Sequence, residues 1–199
     1  MQTELLNLLA ARKGHFQLES GHHGDLWLDL DRLFLRPGSI RPFAGELATK
    51  LASYHMAAVC GPLIGGALLA QTIAAELDVE FYYTQRCVPR DAQRDALYSV
   101  AYRLPHSLRR IVQGKDVAIV DDVINAGSAV RATWAELRAC GARPVVIGAL
   151  LVLGSAAPGF FAEHNVAVES TATLPSGLWS PAECPLCASG APMEEVVAN

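Results

Sequence analysis

Residues 117–129 read VAIVDDVINAGSA, and this stretch decides the fold. Four apolar residues lead directly into Asp121 and Asp122, which is the pattern of a buried strand that ends in two carboxylates. The small residues that follow predict a loop that opens a helix. The segment therefore predicts a strand–loop–helix unit with its polar groups at the carboxyl end of the strand.

The same alternation continues on both sides of this segment. Apolar runs predict strands at 56–60, 79–83, 115–120, 144–153 and 166–174, and residues 26–31 alternate as a strand does. Helical patterns occupy 3–12, 39–54 (with Ser39 as N-cap), 67–77 and 127–140. Residues 84–97 are polar without a period, which predicts a loop. Alternating strands and helices predict an α/β fold, a parallel sheet flanked by helices, whose ligands bind beyond the strands' carboxyl ends.

Composition narrows the class of protein. The 199 residues are 51% hydrophobic and 18% charged, which fits one well-buried domain over 1–199 and excludes a disordered chain. A net charge of −4 predicts no general affinity for nucleic acid. The sequence has no run of eighteen apolar residues, and its five cysteines are an odd number, with Cys60, Cys87 and Cys140 widely scattered. We therefore expect a cytoplasmic protein without a membrane span or disulfide framework.

The chemistry of the 117–129 segment suits a ribose 5-phosphate. Backbone N–H groups of the small-residue loop and the helix N-terminus form an anion cradle, so we expect a valine at Gly127 to fill the cradle and leave the fold intact. Asp121 and Asp122 can accept hydrogen bonds from two vicinal hydroxyls, or reach Mg²⁺ directly or through water. The alternative is a strand-to-helix turn with an acidic cap. The cradle residues are Asn125, Ala126, Gly127, Ser128 and Ala129.

A second turn, 61–66, reads GPLIGG. Because Gly65 and Gly66 carry no side chains, the backbone here can approach a diphosphate. A turn that needs glycine only for packing is the alternative. The predicted diphosphate loop consists of Leu63, Ile64, Gly65 and Gly66.

Together these segments resemble the type I phosphoribosyltransferases, orotate branch. The 117–129 segment resembles that family's motif for phosphoribosyl diphosphate (PRPP), and the loop CGPLIGGA at 60–67 resembles its pyrophosphate loop. GHFQLESG at 14–21 and PAECPLC at 181–187 resemble its N-terminal stretch and a tail of many bacterial and archaeal members. The resemblance implies a type I phosphoribosyltransferase fold, with a core at 56–153 and a hood built from 1–38 and 175–199. It also implies a homodimer in pyrimidine biosynthesis that uses PRPP, Mg²⁺ and a nitrogenous base.

The resemblance also places a cationic loop over the diphosphate. Residues 84–95 read TQRCVPRDAQRD, and Arg86 stands at the family's lysine position. Arg86 and Asp122 are thereby the candidate catalytic residues, with Arg90 and Arg94 as further loop cations. Asp91 and Asp95 offset part of that charge, and a solvated loop of mixed charge is the alternative.

In the orotate branch that this chain resembles, two cations face the carboxylate of orotate. The corresponding positions here hold Glu19 and Leu153, so we expect orotate to be a poor substrate. His22 and His23 follow the same stretch and either line the base pocket or form a surface pair.

Cys184 and Cys187 supply half of the ligands of a zinc site. The others would have to come from Cys60, Cys87 or a second subunit. We therefore favour a tight turn with free thiols, and we expect no metal held directly by protein ligands.

Three functions remain open from the sequence: an orotate phosphoribosyltransferase, a phosphoribosyltransferase for a less anionic base, and a regulatory protein that binds PRPP or a nucleotide without turnover.

Overall fold

A computed structural model describes residues 2–30, 32–87, 97–98 and 100–194. Its main sheet has six strands in the order β5-β4-β3-β6-β7-β8. All neighbours in it are parallel except β4 and β5, which are antiparallel. The strands of this sheet are β3 (Ala58–Pro62), β4 (Glu80–Cys87), β5 (Ala101–Arg103), β6 (Asp116–Ile124), β7 (Arg143–Leu153) and β8 (Ala167–Leu174).

Helices cover both faces of this sheet. They are α1 (Gln2–Leu8), α2 (Pro37–Leu51), α3 (Gly65–Leu77), α4 (Ser128–Ala139) and α5 (Ala156–Glu163). A short further helix, α6 (Pro185–Ala188), lies in the C-terminal tail. Alternate residues of β6 enter different cores: Ala118 and Val120 pack with α1, α2 and α3, while Val117 and Ile119 pack with α4 and α5. A strand buried on both faces is apolar throughout, which is why 117–120 lacks a polar face.

A second, small sheet joins the two ends of the chain. Its strands are β1 (Arg12–Gln17), β2 (His23–Trp27) and β9 (Leu178–Trp179), in the order β1-β2-β9 and antiparallel. These strands lie within the segments expected to form a hood, 1–38 and 175–199. The division into hood and core stays a prediction.

The parallel α/β architecture confirms the predicted fold class. Several local predictions need correction. The first helix ends at Leu8 and Arg12–Gln17 is a strand; Arg36, rather than Ser39, is the N-cap residue of α2. Residues 84–87 continue β4 because Thr84 pairs with β3 and residues 85–87 pair with β5, and α5 was missed. Within the described residues, no helix has the length and apolar character that a membrane crossing needs.

Candidate functional site

Asp121 and Asp122 lie in β6 immediately after its apolar run, and they are 9% and 6% exposed. The N–H of Asp122 donates to Oδ1 of Asp121 (3.1 Å), and the N–H of Val123 donates to Oδ1 of Asp122 (2.8 Å). No ion pair to either carboxylate is found among the described residues. Two adjacent carboxylates are thus buried with hydrogen bonds from the backbone and without a cation.

This environment disfavours the charged form of both groups. Burial raises the pKa of Asp121 well above its usual range, and the adjacent Asp122 carboxylate raises it further. Burial also raises the pKa of Asp122, against the effect of the Val123 N–H. A ligand that brings hydroxyl donors or a cation would relieve this cost.

The small-residue loop lines the same cavity as the carboxylates, as far as Ala129 in the first turn of α4. Gly127 has a φ of +81°, and a Cβ there would lie 2.9 Å from Cβ of Ala157. A valine at Gly127 would therefore strain the backbone and press against α5, which corrects the expectation that it would only fill the cradle. Ala129 offers a better position for testing the cradle.

The turn after β3 packs directly on the two aspartates. A Cβ on Gly65 would collide with Oδ2 of Asp122, and one on Gly66 would lie 2.6 Å from Oδ1 of Asp121. The peptide bond between Leu63 and Ile64 is cis. Glycine at 65 and 66 thus allows the backbone of the predicted diphosphate loop to touch the carboxylate pair.

One cavity of about 480 Å³ unites these parts. The carboxylates, the cradle loop and the turn after β3 form much of its wall, and Leu18, Leu30 and Phe34 add an apolar side. Among the described residues that line it, the charged side chains are Glu19, Asp121 and Asp122, and none is a lysine, arginine or histidine. The described lining therefore holds three carboxyl groups and no basic side chain.

Arg86 is partnered with another predicted site residue. Its Nε lies 3.0 Å from Oε1 of Glu19, and both side chains are substantially exposed. The Tyr102 hydroxyl also donates to Glu19 (3.3 Å), and burial, followed by the Glu19 charge, raises the pKa of Tyr102. Glu19, expected from the resemblance to stand at a cation position, is thus paired with Arg86.

Three predicted base-pocket residues lie away from the cavity lining. Leu153 is part of the hydrophobic core beside α2. The ring of His22 contacts Tyr98 and its Nδ1 hydrogen-bonds Ser20 (3.1 Å), while His23 meets His15 (3.1 Å). Arg90 and Arg94 lie outside the described residues.

The sequence reasoning missed Tyr102 and His15. Tyr102 lines the cavity from β5, a three-residue strand with no motif of its own. His15 lies within the GHFQLESG stretch, for which the resemblance implies no role of this histidine. It lies, with His23, beside Cys184 and Cys187, so the further donors around that pair are these two histidines and neither Cys60 nor Cys87.

Comparison with known proteins finds matches that cover most of the chain. The Phosphoribosyl transferase domain family matches residues 39–169. An orotate phosphoribosyltransferase of Caldanaerobacter subterraneus subsp. tengcongensis is 30% identical over 91% of this chain and 87% of its own length. The Thermotoga maritima protein of that name is 29% identical over 94% of this chain and 91% of its own length.

Solved structures show the same fold. The orotate phosphoribosyltransferase of Aeropyrum pernix superposes with a TM-score of 0.61 at 25% identity, over 83% of this chain and 88% of its own. The adenine phosphoribosyltransferase of Thermoanaerobacter pseudethanolicus gives a TM-score of 0.66 at 17% identity, over 87% of this chain and 100% of its own. Enzymes named for different bases thus share this architecture.

Proposed function

The chain belongs to the phosphoribosyl transferase domain family, and we propose that it moves the phosphoribosyl group of PRPP to a nitrogenous base other than orotate. The observation that carries this proposal is the single cavity lined by the aspartate pair, the cradle loop and the diphosphate loop. Each of these parts matches the chemistry of one portion of PRPP.

In this proposal, each part of the cavity binds one part of PRPP. Asp121 and Asp122 accept hydrogen bonds from the two ribose hydroxyls, and residues 125–129 bind the 5′-phosphate through backbone N–H groups. The backbone of residues 63–66 faces the diphosphate. Displacement at C1 develops positive charge on the ribose, which the acidic cavity would stabilise, and the remaining contribution is positioning.

The carboxylate pair also fits Mg²⁺. Oxygen donors suit this hard cation, and buried carboxylates without a cationic partner would gain from its charge. When bound with PRPP, Mg²⁺ would neutralise charge on the diphosphate. Asp121 and Asp122 would hold it directly or through water.

The charge of the cavity bears on the base. Orotate carries a carboxylate, while the charged side chains of the described lining are all carboxylates too. Arg86 reduces the repulsion from Glu19 because the two side chains are paired. A neutral base avoids the remaining penalty, so we place orotate among the poor substrates, even though the curated relatives carry its name.

The ion pair of Arg86 with Glu19 keeps an alternative function open, that of a protein that binds PRPP without turnover. We propose that Arg86 and Asp122 are the catalytic residues, yet the Glu19 pair holds part of the Arg86 charge away from a diphosphate. A chain whose loop gives too little positive charge would bind PRPP without turning it over. This observation keeps a regulatory PRPP-binding protein as the second candidate.

Exposed apolar side chains at the rim of the cavity bear on the oligomeric state. Leu63, Ile64 and Leu68 line the cavity and are 38%, 74% and 40% exposed. Large apolar side chains in such a position favour a homodimer in which a second copy covers them.

Free cysteines throughout the described chain suit a reducing cytoplasm.

A steady-state assay of diphosphate release tests the proposal. The purified protein receives PRPP and Mg²⁺ with orotate, uracil, adenine or hypoxanthine in turn. We expect turnover with one of the uncharged bases and weak turnover with orotate. An orotate efficiency in the usual enzyme range of about 10⁴–10⁸ M⁻¹s⁻¹ would contradict the choice of base. Calorimetric PRPP binding without turnover of any base would favour the regulatory protein.

A further inference from the structure

Four potential metal donors meet where the two ends of the chain join, apart from the cavity. His15 lies in β1, His23 begins β2, and Cys184 and Cys187 flank the start of α6. One ligand atom from each lies within 4.8 Å of the other three. Three separate segments therefore converge on one point with two imidazoles and two thiols.

The separations of the donor atoms fit a tetrahedral zinc ion. Nε2 of His15 lies 3.1 Å from Nδ1 of His23, 3.5 Å from Sγ of Cys184 and 3.6 Å from Sγ of Cys187. Sγ of Cys187 lies 3.2 Å from Nδ1 of His23. With Zn–N near 2.0–2.1 Å and Zn–S near 2.3 Å, tetrahedral geometry puts nitrogens about 3.4 Å apart and nitrogen and sulfur about 3.6 Å apart.

Hydrogen bonds alone cannot satisfy all the polar atoms of this cluster. Nδ1 of His15 faces the carbonyl oxygen of Ala191 at 3.0 Å, so Nδ1 carries the proton and donates. In the neutral ring, Nε2 then has one lone pair, yet three polar atoms lie within 3.6 Å of it. A metal ion at the centre satisfies all four donors at once. The bond to Ala191 is the outer contact that commonly orients a metal-binding histidine.

The environment favours a structural ion. His15, His23 and Cys184 are 4%, 6% and 2% exposed, and only Cys187 is open to solvent. Four protein donors leave no position for a substrate, and a set of nitrogen and sulfur donors selects Zn²⁺ over Mg²⁺. We propose that His15, His23, Cys184 and Cys187 bind one Zn²⁺ ion, which fastens the C-terminal tail to the β1–β2 hairpin.

Other contacts across the same junction agree with a fastening role. The N–H of Glu194 donates to the carbonyl of His15 (2.7 Å), and Arg12 pairs with the Glu194 carboxylate (2.6 Å). The loop between β1 and β2 carries Glu19 and Ser20 into the cavity wall. The ion would hold this loop in place, so its loss should raise the KM for the base more than it lowers kcat.

Metal content of the full-length protein tests the proposal directly. Protein without a histidine tag is purified under reducing conditions, saturated with Zn²⁺, desalted and assayed by mass spectrometry for metal per chain. We expect about one zinc per chain in the wild type and less than a tenth of that in Cys184→Ser and in His23→Asn. The matched controls, Cys140→Ser and His164→Asn, lie outside the cluster and should keep one zinc.

Co²⁺ in the wild-type protein provides a readout that does not depend on the variants folding. Zinc-free protein loaded with Co²⁺ should show the visible bands of a tetrahedral site and sulfur-to-metal charge transfer, and Zn²⁺ should remove both. Wild-type protein that retains no zinc and gives only octahedral Co²⁺ bands would overturn the proposal. So would mass spectrometry that finds Cys184 and Cys187 joined in a disulfide in the reduced preparation. Neither result depends on transferase activity.

Discussion

Two buried acidic sites, one before α4 and one within it, differ in whether a cation neutralises them. Before its N-terminus, Asp121 and Asp122 are buried without a cation among the described residues. In its third turn, Glu136 is 3% exposed, and its carboxylate accepts hydrogen bonds from Arg103 (2.7 Å) and the Leu104 N–H (3.1 Å), with Arg109 at 3.2 Å. The pair near the cavity lacks what Glu136 has, namely compensating charge. A buried carboxylate is thus structural where the protein neutralises it and a candidate ligand site where it does not.

Replacing both cavity aspartates should have the largest effect. In Asp121→Asn with Asp122→Asn, PRPP loses the strong acceptors for its hydroxyls and the oxygens suited to Mg²⁺. We expect PRPP affinity, measured by calorimetry with Mg²⁺, to fall by about 10²–10³-fold or more. Circular dichroism should be unchanged. Wild-type affinity in this variant would mean that the carboxylates only cap the turn.

Removing Glu136 should affect stability instead of binding. Glu136→Ala leaves the buried Leu104 N–H without its acceptor, while Arg103 and Arg109 are 55% and 42% exposed and stay solvated, so the expected cost is about 1–3 kcal/mol in the free energy of unfolding. Urea denaturation measures this cost, and PRPP affinity of the folded variant should stay within about threefold of wild type. The control Glu163→Ala removes an exposed carboxylate of α5 and should change stability by less than about 0.5 kcal/mol.

A third carboxylate added to the cavity should sharpen the contrast. Ala129→Asp places a negative charge in the first turn of α4, where it suits the helix dipole and preserves the fold. The same charge repels a phosphate in the cradle, so we expect PRPP affinity to fall by about tenfold or more. Ala135→Asp, at an exposed position of the same helix, is the matched control. Equal PRPP affinities of these two variants would contradict the assignment of the cradle loop to phosphate binding.

The pH dependence of apo stability should separate the two acidic sites further. Burial raises the folded-state pKa of Asp121 and Asp122 above the unfolded value of about 3.9. Their contribution to stability is then fully present below that value and is lost as pH rises through the raised folded pKa values. The doubly substituted Asn variant should therefore be more stable than wild type at pH 7–8.

Thermal melts between pH 4 and pH 8 measure this effect. Each kcal/mol regained should raise Tm by about 2–4 °C for a chain of this size. The difference from wild type should vanish towards pH 4. A variant that melts below wild type at pH 8 would contradict the assigned cost of burying these charges.

The smallest effect is expected at the exposed pair of Glu19 and Arg86. Glu19→Gln should change the free energy of unfolding by less than about 1 kcal/mol because both side chains are solvated. It frees the Arg86 charge, so the KM for PRPP should fall by a few-fold at low salt, and the gain should shrink as salt is added. Arg86→Gln should act in the opposite direction, and a double-mutant cycle measures the coupling.

Local sequence determined the centre of the candidate site. Asp121, Asp122 and the small-residue loop are contiguous, so strand, turn and helix preferences alone fix their relation. Gly65 and Gly66 could be predicted in the same way, although their clash distances to the aspartates required the packed sheet. The parallel fold followed from the alternation of apolar runs and helical patterns, because each strand had to be covered on both faces.

Only the tertiary structure decided the relations between distant residues. Cys184 and His15 are 169 positions apart, and no local pattern announces that they meet. Likewise, Glu19 departed from an expected charge, and its pairing with Arg86 depends on how β4 lies beside the β1–β2 loop. Residues 12–17 became a strand because β2 supplies hydrogen-bond partners, which a helix-like leucine pattern before them could not reveal. Contacts of this kind form through packing and loop closure, whose outcome depends on the whole chain.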